Sequence, residues 1–163
     1  MKPLMLATDG SPTATKATSM AIELARALGS ELVIVSVWQL SYGGYTGLGF
    51  TAPISNENWA DLGEGQALKV AAEAAARAEE VGVEARTIVL RGMIVEEICL
   101  AAEKVGPELL VVGSHGWGAM KRTLFGSVSA GVLHRAACPV LVVPWDVAAE
   151  NGAAVPKAER ARA

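Results

Sequence analysis

A chain of 163 residues, 52% apolar and 19% charged, has the size and composition of one folded domain, which excludes an intrinsically disordered chain. Its net charge of −3 and lack of any long basic run argue against broad electrostatic binding to nucleic acid or anionic membrane. No stretch approaches the roughly 20 apolar residues of a membrane helix and the opening MKPLMLATDG is not a signal peptide, so the cytoplasm is the expected location.

In chain order, Pro3 to Thr8 reads as a buried strand that stops at Asp9-Gly10. Ser11-Pro12 then supplies a helix N-cap and a first-turn proline. The helix sets Ala17, Met20, Ala21, Leu24, Ala25 and Leu28 at three- and four-residue steps, and Gly29 stops it. Glu31 to Val37 is a continuous apolar, β-branched run, expected for a strand covered on both faces. Trp38 to Gly65, rich in Gly, Tyr, Ser and Asn, reads as a long variable loop, a functional lid or partly disordered. Its aromatics either anchor the loop to the domain or cover a ligand.

An alanine-rich helix follows from about Asn58 to Glu80, and Val83 to Leu90 is a third strand. Gly92 opens a helix to about Val105, with Ile94, Ile98 and Ala101 on one face. Glu108 to Val112 is a fourth strand, Thr123 to Ala136 a fourth helix and Pro139 to Val143 a fifth strand. From residue 145 to 163 no apolar face is evident, and a flexible tail is expected after a domain spanning 1–144. Cys99 and Cys138 lack metal-ligand spacing and read as two reduced, buried side chains.

Strands alternating with helices imply an α/β fold: a mostly parallel open sheet with helices on both faces, joined by right-handed crossovers. Ligands of such sheets bind beyond the carboxyl ends of the strands, where the strand order reverses. That rule directs attention to Asp9, Val37 and Gly113, which follow the first, second and fourth strands.

The segment from Gly113 to Ser129 carries most of the chemistry. Glycines at 113, 116 and 118 allow positive φ and a close approach of backbone to ligand. Gly126-Ser127 opens the fourth helix, where unpaired N–H groups and the helix dipole favour phosphate, and the hydroxyls of Ser127 and Ser129 can add donors. Neither standard phosphate loop fits. A Walker A count from Gly113 reaches Gly118 but then Ala119 in place of lysine, and a G-x-G-x-x-G count from Gly116 ends on Lys121.

Gly113, Gly116, Gly126 and Ser127 match G-x2-G-x9-G-[ST], the pattern of ATP-binding universal stress proteins. The opening strand ending in Asp9, the GSHG turn, the GSVS helix start and the CPVLVVP close resemble that family from about residue 2 to 144. The resemblance implies a flavodoxin/Rossmann-like five-stranded parallel sheet of order 3-2-1-4-5. It implies ATP as ligand, with Mg2+ or Mn2+ carried on the phosphates. By matching position, Ala7, Thr8 and Asp9 would lie against adenine and ribose, and Val37 would pack on adenine. Val112, Gly113, His115 and Gly116 would lie near ribose and phosphates, and Gly126, Ser127, Val128 and Ser129 on the phosphates. It further implies a homodimer through Val140–Val143 and a nucleotide-dependent regulatory or protective role in stress. The chain departs from the family at Glu108, where an Asp is usual, and at Trp117, where many members carry a basic residue.

Plainer roles stand beside these. Asp9 could cap the first helix or its preceding turn, His115 could pack in the core, and Lys121 and Arg122 could be solvated. His134 reads as a partner of the helix dipole with no site role. Ser127-Val128-Ser129-Ala130-Gly131 resembles a nucleophile elbow only faintly, because the first glycine is missing and Ser129 falls within a helix. No catalytic residue and no dedicated metal ligand is assigned, and any ATP hydrolysis is expected to be slow. The alternatives are an interaction module of the same fold that holds no nucleotide, and a weak ATP hydrolase.

Overall fold

The computed structural model describes residues 1–39, 56–115 and 126–144. Most of the long loop, Gly116 to Phe125 and the tail from 145 onward therefore lie outside the described residues.

Five strands, β1 (Leu4–Ala7), β2 (Leu32–Trp38), β3 (Ala85–Arg91), β4 (Leu109–Gly113) and β5 (Val140–Val143), alternate with four helices. The helices are α1 (Pro12–Leu28), α2 (Asn56–Glu79), α3 (Ile94–Val105) and α4 (Ser127–Arg135). The sheet is parallel throughout, in the order β3-β2-β1-β4-β5. The expected order is thus the observed one. Because α2 begins at Asn56, its first turns occupy residues assigned to the long loop in the sequence reading, and Trp38 is the last residue of β2.

The two-residue period of the strands sorts their side chains into two cores. Leu4, Leu6, Leu32, Ile34 and Val111 face α1 and α2, packing with Ala17, Ala21, Ala25, Ala71, Ala74 and Ala78. Met5, Ala7, Val33, Val35, Leu110 and Val112 face the other way, against Ile98, Ala101 and Ala102 of α3 and Val132 of α4. Alanine at the helix contacts lets α1 and α2 lie close to the sheet. The buried stripe of α1 runs through Thr13, Ala14, Ala17, Thr18, Ala21, Ile22 and Ala25, which leaves Met20 and Leu28 exposed. Met20 stands off the edge of that stripe at 100° per residue, and Leu28, although in line with it, is the last residue of the helix; both correct the face expected from spacing alone.

Helix ends follow their sequence signals. Ser11 caps α1, its hydroxyl accepting from Ala14 N at 3.3 Å, and Gly29 ends it in the left-handed region at φ 63°. Asp9 caps the turn before the helix, accepting from Ser11 N at 2.9 Å, which is the second of its two plainer roles. Gly10 stands at φ 72°, and a Cβ there would come within 2.8 Å of Val70 Cγ2 of α2. The corner between β1 and α1 is thus sealed by α2.

On the opposite face, Arg135 Nη1 donates to Glu96 Oε1 at 2.6 Å and joins α4 to α3, which holds the Glu96 carboxyl below the usual carboxylate range. Cys99 is buried and Cys138 only half-buried, and desolvation pushes both thiols above their ordinary range. The expectation of two buried thiols is therefore met by one of them. Among the described residues, no helix is long and apolar enough to cross a membrane.

Candidate functional site

The strand order places β1 between β2 and β4, and the connections from β1 and β4 leave toward opposite faces of the sheet. A crevice at such a reversal is where open parallel sheets bind ligands. Ala7 is in register with Val35 on one side and Val112 on the other. Ala7, Val37, Val112 and Val128 all belong to or pack on the core shared with α3 and α4. The carboxyl edge on that face is therefore apolar. Thr8 follows, buried, with its amide on Val35 O at 3.0 Å, and Asp9 is exposed at the rim.

The turn after β4 is held tightly. Ser114 N donates to Val143 O at 2.9 Å, and Ser114 O accepts from Gly126 N at 2.7 Å and from Ser129 Oγ at 2.9 Å. His115 O accepts from Thr13 Oγ1 at 2.7 Å, while Ser114 Oγ stands 3.1 Å from His115 Nδ1. Gly113, His115, Gly126 and Ser129 are thus gathered around one turn, with Ser127 next in the chain. Gly116, Trp117, Lys121 and Arg122 lie outside the described residues.

Of the glycines expected at positive φ, Gly113 is not, and Gly116 and Gly118 lie outside the described residues. Among the described residues positive φ occurs at Gly10, Gly29, Gly82, Gly92 and Gly106, and both Gly113 and Gly126 lie outside that region. Their requirement is space. A Cβ on Gly113 would stand 3.1 Å from Ala14 N and from Thr13 C, so β4 reaches the α1 backbone only because no side chain intervenes. A Cβ on Gly126 would stand 3.2 Å from Ser114 O and 3.4 Å from His115 Cα.

Gly126 is the N-cap of α4 and offers no capping side chain. The first intrahelical bond runs from Ala130 N to Gly126 O at 3.0 Å, so the amides of Ser127, Val128 and Ser129 precede the helical ladder. Ser127 is exposed and Val128 half-buried. A helix end of this kind favours an anion through both its amides and its dipole. The Ser129 hydroxyl does not join that surface: Ser129 is buried, and its proton is directed to Ser114 O and Gly126 O. Its expected role as an added donor gives way to one inside the turn.

Ser11, Thr13 and Ser114 were not singled out as site residues from sequence, yet they connect the ends of β1 and β4. Their only sequence signal is hydroxyls clustered near a strand end, which is too common to select them. Beyond them, at the β2–β3 end, Arg91 stacks 5.3 Å from the centroid of the Trp38 ring. Among the described residues, no group of three His, Cys, Asp or Glu could hold a metal ion.

Comparison with known proteins agrees with the fold. A family model described as "Universal stress protein family" matches residues 1–144. The universal stress protein YxiE of Bacillus subtilis is 33% identical over 143 residues, covering 86% of this chain and 97% of the relative. The solved structure of MJ0577, a Methanocaldococcus jannaschii protein, has TM-score 0.72 and 28% identity over 90% of this chain and 98% of the other. A universal stress protein solved in complex with cAMP has TM-score 0.65 and 25% identity, covering 88% of this chain and 96% of its own.

Proposed function

Because the chain belongs to the universal stress protein family, we propose that it is an adenine-nucleotide-binding module with ATP as its ligand. The observation that carries this reading is the meeting of an apolar edge with an uncapped helix tip at one strand reversal. Ala7, Val37 and Val112 form the edge suited to a base, and Gly126, Ser127 and Val128 form the tip suited to phosphates. A relative solved with cAMP supports an adenine nucleotide as the class of ligand.

In this reading Thr8 and Asp9 lie beside the ribose, and Gly113, His115 and Gly116 beside the ribose and first phosphates. Ser127, Val128 and Ser129 supply main-chain amides to the phosphates. The described donor set suits a magnesium or manganese ion that arrives bound to the phosphates and water, with Asp9 the carboxylate at the rim. The ion supplies charge neutralisation, and the chain supplies amides and an apolar wall. With no general base aimed at the phosphates in this reading, the site binds without rapid turnover, and nucleotide occupancy serves as a regulatory or protective signal during stress in the cytoplasm. Addition of ATP and magnesium to nucleotide-free protein tests the reading: saturable thermal stabilisation is expected, and its absence would overturn the assignment.

We also propose a homodimer through β5. The bonds Leu110 N to Pro139 O and Ser114 N to Val143 O turn residues 139, 141 and 143 toward β4. In a parallel ladder the main-chain groups of Val140 and Val142 then face the open edge. A short apolar edge of this kind is protected by pairing with a second copy. Val142→Pro, which removes one outward N–H, is expected to halve the mass measured by sedimentation. An unchanged mass in the folded variant would place the contact elsewhere.

A further inference from the structure

We propose that Thr13 and Ser129 are positioning residues of the nucleotide site, two buried hydroxyls that fix the turn after β4 against the tip of α4. The inference rests on the reading of that tip as a phosphate cradle. Hydroxyl side chains inside helices ordinarily bond back to a carbonyl of the preceding turn. Thr15 and Thr18 do so, to Ser11 O at 3.1 Å and Ala14 O at 2.8 Å, as does Ser19 to Thr15 O at 3.2 Å. Thr13, in the first turn of α1 with no helical turn before it, reaches across the fold to His115 O at 2.7 Å, with the Ser11 hydroxyl farther off at 3.5 Å.

Ser129 makes the complementary tie. Its hydroxyl lies 3.1 Å from Gly126 O and closer, 2.9 Å, to Ser114 O. Consecutive carbonyls of one turn are thereby gripped from two helices, Ser114 O by α4 and His115 O by α1. Thr13 is 3% and Ser129 2% exposed, so both hydroxyls act from beneath the surface. Gly113 and Gly126 allow the close approach, and Gly126 N adds a main-chain bond to Ser114 O at 2.7 Å. The two hydroxyls add the side-chain hold, which with that bond sets the spacing between the turn and the amides of Ser127 and Val128.

Such a role has a signature. Misplacing the helix tip should weaken contacts to phosphate and spare those to the base, which rest on Ala7, Val37 and Val112. Thr13→Val, nearly isosteric, and Ser129→Ala are measured for ATP with magnesium and for adenosine, with folding checked by circular dichroism. We expect ATP affinity to fall about tenfold or more and adenosine affinity to stay within about twofold, since small misplacements of positioned groups carry effects of this order. Thr13→Ser, which keeps the hydroxyl, should restore ATP affinity. Should Thr13→Val not fold, Ser129→Ala carries the same comparison. Folded variants that bind ATP like the parent, or that lose ATP and adenosine equally, overturn the inference alone. A parent that binds neither ligand overturns the phosphate-cradle reading and this inference with it.

Discussion

Ser127→Asp is expected to weaken ATP binding by about 100-fold or more while leaving the fold at least as stable as the parent. Ser127 is exposed and stands at the first position of α4, behind an N-cap glycine with no side chain. For the empty protein a carboxylate there is favourable, contributing about 0.3–1 kcal/mol against the helix dipole. For the phosphate-bound protein it is unfavourable twice over. The carboxylate competes for the amides of the first turn, and it repels the ligand. Two like charges 4 Å apart interact with about 4 kcal/mol at an effective dielectric constant of 20. Screening by salt reduces that figure, yet even about 2.8 kcal/mol corresponds to 100-fold. Titration calorimetry and thermal melts of the same sample separate the two effects. Undiminished affinity in a folded variant would mean that the phosphates do not rest on this helix.

Gly113→Val should damage stability and binding together. The Cβ would enter a space bounded by backbone atoms of α1, Ala14 N and Thr13 C at 3.1 Å and Thr13 O at 3.2 Å. Backbone within a helix cannot rotate away as a side-chain tip can, so β4 and α1 must separate. Overpacking of this kind costs about 3 kcal/mol. For a domain of this length that lowers the melting temperature by about 6–12 °C. The same displacement pulls Thr13 from His115 O, so ATP affinity falls as well. A variant that melts with the parent would show that α1 and β4 are less closely apposed than these distances require.

The contrast between these variants reflects what the sequence could and could not convey. Strand and helix identities were legible because apolar runs such as Glu31–Val37 and spaced alanines such as Ala17, Ala21 and Ala25 are dictated by period and burial. The strand order came through family resemblance, since no periodicity specifies which strands are neighbours. Gly113 and Gly126 are legible as a turn and a helix start, but the positive φ expected at Gly113 is not what its site requires. Positive φ is a local property that glycine often signals, whereas contact with α1 is tertiary and leaves no local mark. The same reason explains Thr13 and Ser129: whether a hydroxyl bonds back along its helix or across to a turn depends on packing that only the fold reveals. Met20 and Leu28 repeat the lesson on α1, where a spacing compatible with the core decides neither which edge of the stripe is covered nor where along the helix the cover ends.

A triphosphate held in the proposed way, by main-chain amides at the start of α4 without a lysine-bearing loop, should show itself in the thermal unfolding of nucleotide-free protein with and without ATP and magnesium. At 100 times the dissociation constant the ligand should add about 2.7 kcal/mol of stability. That gain should raise the melting temperature by about 5–11 °C, and it should vanish in Ser127→Asp. An unchanged melting curve at millimolar ATP, or an equal rise in parent and Ser127→Asp, would contradict the account.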